Sequence, residues 1–207
     1  MNNFIFENKT KVYFGKGCVG EYLPEIAATY GDKVLLAYGG GSIKKNGVYE
    51  EVTAALEKAG KTIIEFPGIM ENPTYKKVLE GTKLVKEKQV DWILAVGGGS
   101  VMDCSKAISM AAVSEKDVWD EYWAKKGVVD FEPMPLGVIV TASGTGSECN
   151  GGAVITNEEV MIKTDRDYPK CNPEFALMDP AYTYTVPTKQ MVAGSFDILS
   201  HVMETYF

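Results

Sequence analysis

The sequence predicts an α/β fold: a Rossmann-like domain on a parallel sheet over residues 1–186, then over 187–207 the opening segment of a helical domain. Three observations carry this expectation. Short apolar runs of strand length alternate with amphipathic stretches of helix length, the pattern of β-α-β units joined by right-handed crossovers. The runs KVLLAY, DWILAV and LGVIVTA are apolar almost throughout, as strands buried on both faces are. Beyond Pro187 the strand pattern stops and helical periodicity continues to Phe207.

Element by element, FIFENKTKVYFG places two alternating apolar runs around Asn8-Lys9-Thr10 and predicts an opening hairpin. VGEYLPEIAATYG reads as a helix closed by Gly31, KVLLAY as a strand, and NGVYEEVTAALEKAG as an amphipathic helix ending at Gly60. The unit repeats with TIIEF as a strand and ENPTYKKVLEGTKLVKEKQ as a helix whose first turn holds Pro73. DWILAV and SVMDCSKAISMAAV supply the next strand and helix. From about Pro133 the texture changes: LGVIVTA is a buried strand, GGAVITNEEVMIKTD alternates around Asn157-Glu158 like a hairpin, and FALMD is a last short strand before PAYTYTVP. In the closing helix Val192, Phe196, Leu199 and Met203 share an apolar face with no partner legible in the sequence.

Composition narrows the function classes. A chain of 207 residues with 45% hydrophobic and 24% charged residues is ordinary for a globular protein with a substantial core. A formal net charge of -7, with basic residues grouped no further than pairs such as Lys44-Lys45, gives no electrostatic footprint for nucleic acid or an anionic membrane. Small-molecule partners fit better. No window approaches the roughly 18 apolar residues of a membrane span, and the first residues lack an export-signal pattern, so a cytoplasmic location is expected. Cys18, Cys104, Cys149 and Cys171 are scattered without a C-x-x-C pair and read as reduced, packed thiols.

Two copies of GGGS carry chemistry. Gly97, Gly98, Gly99 and Ser100 follow an apolar strand and open a helix, so their backbone N–H groups can approach a pyrophosphate without Cβ interference while the helix N-terminus favours its charge. The competing local reading is a capping pair, Ser100 with Asp103. The other copy, Gly39-Gly40-Gly41-Ser42, ends a different strand, where dinucleotide sites commonly carry an acid on the adenosine ribose. No acid stands there. Glycines, Ser42 and nearby Lys44 and Lys45 would tolerate or hold a 2′-phosphate, which favours NADP(H) over NAD(H). Finally, Asp197 and His201 lie four residues apart on one helix face, within reach of a shared metal ion or simply of each other.

Taken in order, GGGSVMDCSKAI, TASGTGSECNGGAVI and DILSH, with FENKTKVYFGKG and FALMDPAYTYTVP, resemble the iron-containing alcohol dehydrogenases across essentially the whole chain, and specifically their butanol dehydrogenase and aldehyde reductase branch. The resemblance implies a coenzyme diphosphate loop at Gly97 to Ser100 with Asp103 behind it, and NADP(H) at Gly39, Gly40 and Ser42. It implies further cofactor contacts at Thr141, Thr145, Asn150 and Lys163. It makes Asp197 and His201 the first two metal ligands, the other two being histidines of the helical, metal-binding domain. His201 is the single histidine here, so the expectation is the N-terminal part of a longer enzyme, inactive alone.

The implied reaction is hydride transfer between NADP(H) and a primary alcohol or aldehyde such as butanol or butyraldehyde. Fe²⁺ or Zn²⁺ fits the ligand chemistry, with zinc favoured by affinity order. No residue presents itself as the general base. The opening hairpin could extend a sheet across a homodimer or lie at an edge within one chain. Two other readings stand beside this one: a relative of glycerol dehydrogenase, and a non-catalytic dinucleotide-binding module.

Overall fold

The computed structural model describes residues 3, 5 and 7–207. Along the chain come β1 (Lys11–Phe14), α1 (Cys18–Ala28), β2 (Lys33–Tyr38), the one-turn α2 (Ser42–Lys45), α3 (Val48–Lys58), β3 (Thr62–Phe66) and α4 (Tyr75–Lys88). These are followed by β4 (Trp92–Gly97), α5 (Gly99–Val113), β5 (Leu136–Val140), β6 (Gly152–Asn157), β7 (Ile162–Asp167), β8 (Phe175–Met178) and α6 (Thr188–Tyr206). Six strands form one sheet in the order β1-β8-β5-β4-β2-β3, every neighbouring pair parallel, while β6 and β7 make a separate antiparallel hairpin. This is the Rossmann-like α/β architecture expected.

The central strands are apolar on both faces because both are covered. Leu35, Ala37, Ile93, Ala95 and Val138 face one core with residues of α4 and α5. Val34, Leu36, Tyr38, Leu94 and Val96 face the other with residues of α1 and α3. Fully burying a side chain of the Val, Leu or Ile kind stabilises by about 1.5–3 kcal/mol, so β2 and β4 anchor the fold. Trp119 and Trp123, on a π-helical turn at Trp119–Ala124 that sequence pattern did not suggest, also enter the first core.

Three local expectations are corrected. The first arm of the opening hairpin holds Phe4 and Phe6 and lies partly outside the described residues. Its second arm, β1, is an edge strand paired in parallel with β8, Lys11 opposite Phe175. Pro73 precedes α4 instead of sitting in its first turn. Thr74 is the cap, its hydroxyl accepting from Lys77 N at 3.2 Å, which supplies a first-turn donor with the partner a proline cannot offer. The pair Ser100 and Asp103 makes no capping box, since α5 starts at Gly99 without a side-chain cap.

Chain order reverses between β2 and β4. After β3 has been added beside β2, β4 returns to β2's other side, and the crevice beyond the carboxyl ends of such strands is where α/β sheets bind ligands. Both GGGS segments end strands at this point. At the carboxyl end of β8, two strands from β4, Asp179 joins that strand to α1: its carboxylate accepts from Gly17 N at 2.6 Å and Ala181 N at 2.8 Å, and the residue is 4% exposed. Asp179→Ala leaves both donors unpaired in a buried place and is expected to cost about 2–3 kcal/mol in urea unfolding. A loss below about 0.5 kcal/mol would mean water replaces the carboxylate.

In α6, Val192, Phe196, Leu199 and Met203 are exposed. Among the described residues no helix is long and apolar enough to cross a membrane.

Candidate functional site

At the carboxyl end of β4 the chain turns through Gly97 and Gly98 into α5. Gly97 is obligatory for packing, because a Cβ there would lie 2.5 Å from Val101 Cγ2, and Val101 is buried. Gly98 and Gly99 are different. A Cβ on either would find only ordinary contacts, Ala142 Cβ at 3.5 Å and Thr145 Oγ1 at 3.5 Å. Both directions point to the loop that follows β5, across a cleft of about 310 Å³. Val101 N and Met102 N donate back to Gly98 O and α5 has no side-chain cap, so the N–H groups of Gly99 and Ser100, both lining the cleft, have no local side-chain acceptor.

The opposite wall is Ala142 to Thr145, started by Thr141, whose N–H donates to Gly97 O at 2.9 Å. Lys163 enters from β7 with its ammonium donating to Asn72 Oδ1 at 2.5 Å, and Asp197 enters from α6. The cleft therefore brings together Gly98, Gly99, Ser100, Asp103, Thr145, Lys163 and Asp197, residues spread over 100 positions of sequence. A pyrophosphate could be met here by amide donors at a helix N-terminus on one wall, a hydroxyl on the other and the Lys163 ammonium, with the carboxylates of Asp103 and Asp197 lining the same cleft.

Asp103 lines the cleft, and Asn150 braces the loop beside it. Asp103 accepts from Ser147 Oγ at 2.7 Å and from Val154 N at 3.0 Å, which ties α5 to the loop and to β6. Burial pushes its carboxyl above the usual range, opposed by the Val154 and Ser147 hydrogen bonds and by Lys106. Asn150 Nδ2 donates to Thr145 O at 3.2 Å, and its Oδ1 accepts from Gly152 N at 2.9 Å. The same Oδ1 accepts from Lys106 at 3.2 Å. Lys106 escaped the sequence reading. It is the single lysine of a mostly apolar helix, three residues after Asp103, and its partners lie more than 40 residues away.

Gly39, Gly40 and Ser42 stand at the end of β2, next to this cleft in strand order. Gly39 backs onto Ile69 O and Val101, whereas the space beside Gly40 is open. Lys44 turns away to Glu65 on β3, donating at 3.2 Å and lying 4.2 Å from the centre of the Tyr49 ring. Glu65 also accepts from Tyr38 Oη at 2.5 Å and Tyr49 Oη at 2.6 Å, and these tyrosine bonds hold its carboxyl below the usual range. Sequence position gave no hint of that carboxylate.

Asp197 and His201 face one side of α6 with Oδ1 and Nε2 3.7 Å apart, and Asp197 Oδ2 lies 3.7 Å from where a Cβ of Gly144 would stand. Among the described residues no group of three or more His, Cys, Asp or Glu could hold a metal ion, so this pair offers a carboxylate and an imidazole and no third ligand.

The family model for iron-containing alcohol dehydrogenases matches residues 9–180. A probable NADH-dependent butanol dehydrogenase of Bacillus subtilis is 45% identical over 207 residues, covering 100% of this chain and 53% of that protein. An NADPH-dependent aldehyde reductase of Escherichia coli is 39% identical over 210 residues, covering 100% of this chain and 52% of that protein. The crystal structure of NADH-dependent butanol dehydrogenase A from Thermotoga maritima superposes with a TM-score of 0.92 at 41% identity, over 99% of this chain and 51% of that one. The chain thus spans about half the length of the curated relatives it matches. On its sequence and its fold together, the chain belongs to the iron-containing alcohol dehydrogenase family.

Proposed function

We propose that this chain binds NADP(H), in preference to NAD(H), as the coenzyme portion of a metal-dependent oxidoreductase that moves hydride between the nicotinamide and a primary alcohol or aldehyde of the butanol and butyraldehyde kind. The convergence of Gly98 to Ser100, Thr145, Lys163 and Asp197 on one cleft carries the proposal. The N–H groups of Gly99 and Ser100 bind the pyrophosphate, and Lys163 offsets its charge. Thr141 and Thr145 line the side towards the nicotinamide, and Asn150 fixes their loop. Gly39, Gly40 and Ser42 receive the adenosine ribose without a carboxylate to repel a 2′-phosphate. Lys44, held by Glu65, takes no part in that preference.

Asp197 and His201 suit Fe²⁺ or Zn²⁺ in donor type and supply two ligands. When bound, the nicotinamide supplies the hydride-exchanging carbon and the divalent ion supplies Lewis-acid polarisation of the substrate oxygen. The chain's own share is to orient the cofactor beside Asp197 and to wall one side of the substrate's position. With two ligands on the chain, cofactor binding without efficient turnover is the expected behaviour of the chain by itself. This favours the binding-module reading for the isolated chain and the dehydrogenase reading for any assembly that completes the metal site.

Fluorescence titration of the chain with NADPH and NADH tests this. NADPH binding tighter than NADH by at least about threefold, roughly 0.7 kcal/mol, is expected. Equal or tighter NADH binding removes the preference. Absence of binding by both removes the cofactor reading itself.

A further inference from the structure

Lys106 is fully buried, and no step proposed above uses it. Its ammonium donates to Ser147 Oγ at 2.8 Å, Asn150 Oδ1 at 3.2 Å and Gly152 O at 2.8 Å. All three acceptors belong to the segment that leads from the Thr141–Thr145 wall into β6. Ser147 Oγ in turn donates to Asp103 Oδ1, so the ammonium, the hydroxyl and the carboxylate form a hydrogen-bonded chain from α5 to the loop and back to α5. The helix that begins at the phosphate loop therefore grips the opposite wall of the cleft through two charged side chains, Lys106 buried and Asp103 partly buried. A hydrophobic side chain would fill the same volume without this grip, and a buried lysine is costly unless its donors are used.

We propose that Lys106 is a positioning residue for nucleotide binding: its buried ammonium holds residues 147–152, and through them the Thr141–Thr145 wall, in the shape that faces Gly98 to Ser100. The proposal rests on the reading of the cleft as a nucleotide site. Four groups bear on the ammonium. Asp103 precedes it by one turn of α5, Glu148 faces it from the turn at Ser147–Cys149, Asp167 from the end of β7 and Cys171 from the turn at Pro169–Cys171. All four favour its proton. Burial outweighs them and lowers Lys106 from 10.5 to about 8.

Above that value the neutral amine keeps two donors for three acceptors, and its attraction to Asp103 is gone, so the wall loosens. Global stability moves the other way. Between about 8 and 10.5 the folded chain binds fewer protons at Lys106 than the unfolded chain does, so the stability linked to this group rises with pH in that window. Opposite trends in binding and stability are the signature of a positioning role. A lysine that only supported the fold would not separate them.

NADPH and NADH titrations of the full chain at about pH 7 and about pH 9.5, with thermal melts at both, read this directly. In the parent chain the Kd is expected to rise roughly tenfold at the higher pH without a matching loss of Tm. Lys106→Met is expected to bind roughly tenfold more weakly at the lower pH and to lose the pH dependence. A parent Kd that does not change with pH overturns the proposal, and this measurement stands even where Lys106→Met fails to fold. A Lys106→Met chain that binds like the parent, or keeps its pH dependence, overturns it equally. If the parent binds neither nucleotide at the lower pH, the cofactor reading fails and takes this inference with it. Binding that ignores both pH and the substitution leaves the cofactor reading intact and removes Lys106 alone.

Discussion

Gly99→Ala is expected to weaken nucleotide binding on the order of 100-fold, about 2.7 kcal/mol, while leaving the thermal transition within about 2 °C of the parent. The two halves of this expectation come from different observations. The fold has no objection to a methyl group at Gly99. It is the first residue of α5, alanine is the most favourable helix residue, and the nearest atom to the added Cβ is Thr145 Oγ1 at an unstrained 3.5 Å. That same Cβ enters the gap between the Gly98–Ser100 turn and the Thr141–Thr145 wall, where in the proposed binding mode a diphosphate approaches the amides of Gly99 and Ser100. Binding is lost and stability is kept.

Gly97→Ala provides the contrast within the same measurement. Its Cβ would lie 2.5 Å from Cγ2 of the buried Val101 side chain, so melting and binding should both suffer. A Gly99→Ala chain that binds NADPH like the parent would show that three consecutive glycines serve the strand-to-helix turn and nothing else. The pair thus separates the two meanings of one motif.

How far the sequence reveals the fold and the site follows from the range of the forces involved. β2, β4 and the hairpin of β6 and β7 were legible because burial on two faces, or on one, writes itself into the local pattern as an unbroken or an alternating apolar run. The unburied apolar face of α6 was legible for the same reason. Signals that mimic a local motif misled. Ser100 and Asp103 have capping-box spacing, yet the carboxylate answers to Ser147 and Val154, more than 40 residues on. Lys44, read as a residue that would tolerate or hold a phosphate, also meets Glu65, which β3 brings beside it and which its sequence neighbourhood does not announce. Lys106 could not be read at all, because a single lysine in an apolar helix announces a buried charge without naming its acceptors.

Gly151→Ala is expected to destabilise the chain by about 3 kcal/mol, lowering Tm by roughly 6–12 °C, and to weaken nucleotide binding although it touches no cofactor contact. A Cβ at Gly151 would lie 2.0 Å from Tyr168 O and 2.5 Å from Tyr168 C, which are backbone atoms and cannot rotate aside. Tyr168 is itself fixed. Its hydroxyl donates to Tyr122 O at 2.8 Å, and its ring meets Tyr122 and Trp123 edge-on. With Tyr168 held by these contacts, the strain falls on the Gly151 end of β6, where that strand packs on α5. A shift there pulls Gly152 O from Lys106 and Val154 N from Asp103, two bonds through which α5 holds the wall of the cleft. Thermal melts and NADPH titrations on one preparation check both effects. A fall in Tm with unchanged affinity would mean that the wall keeps its shape without β6, and the coupling between the hairpin and the cofactor cleft would have to be abandoned.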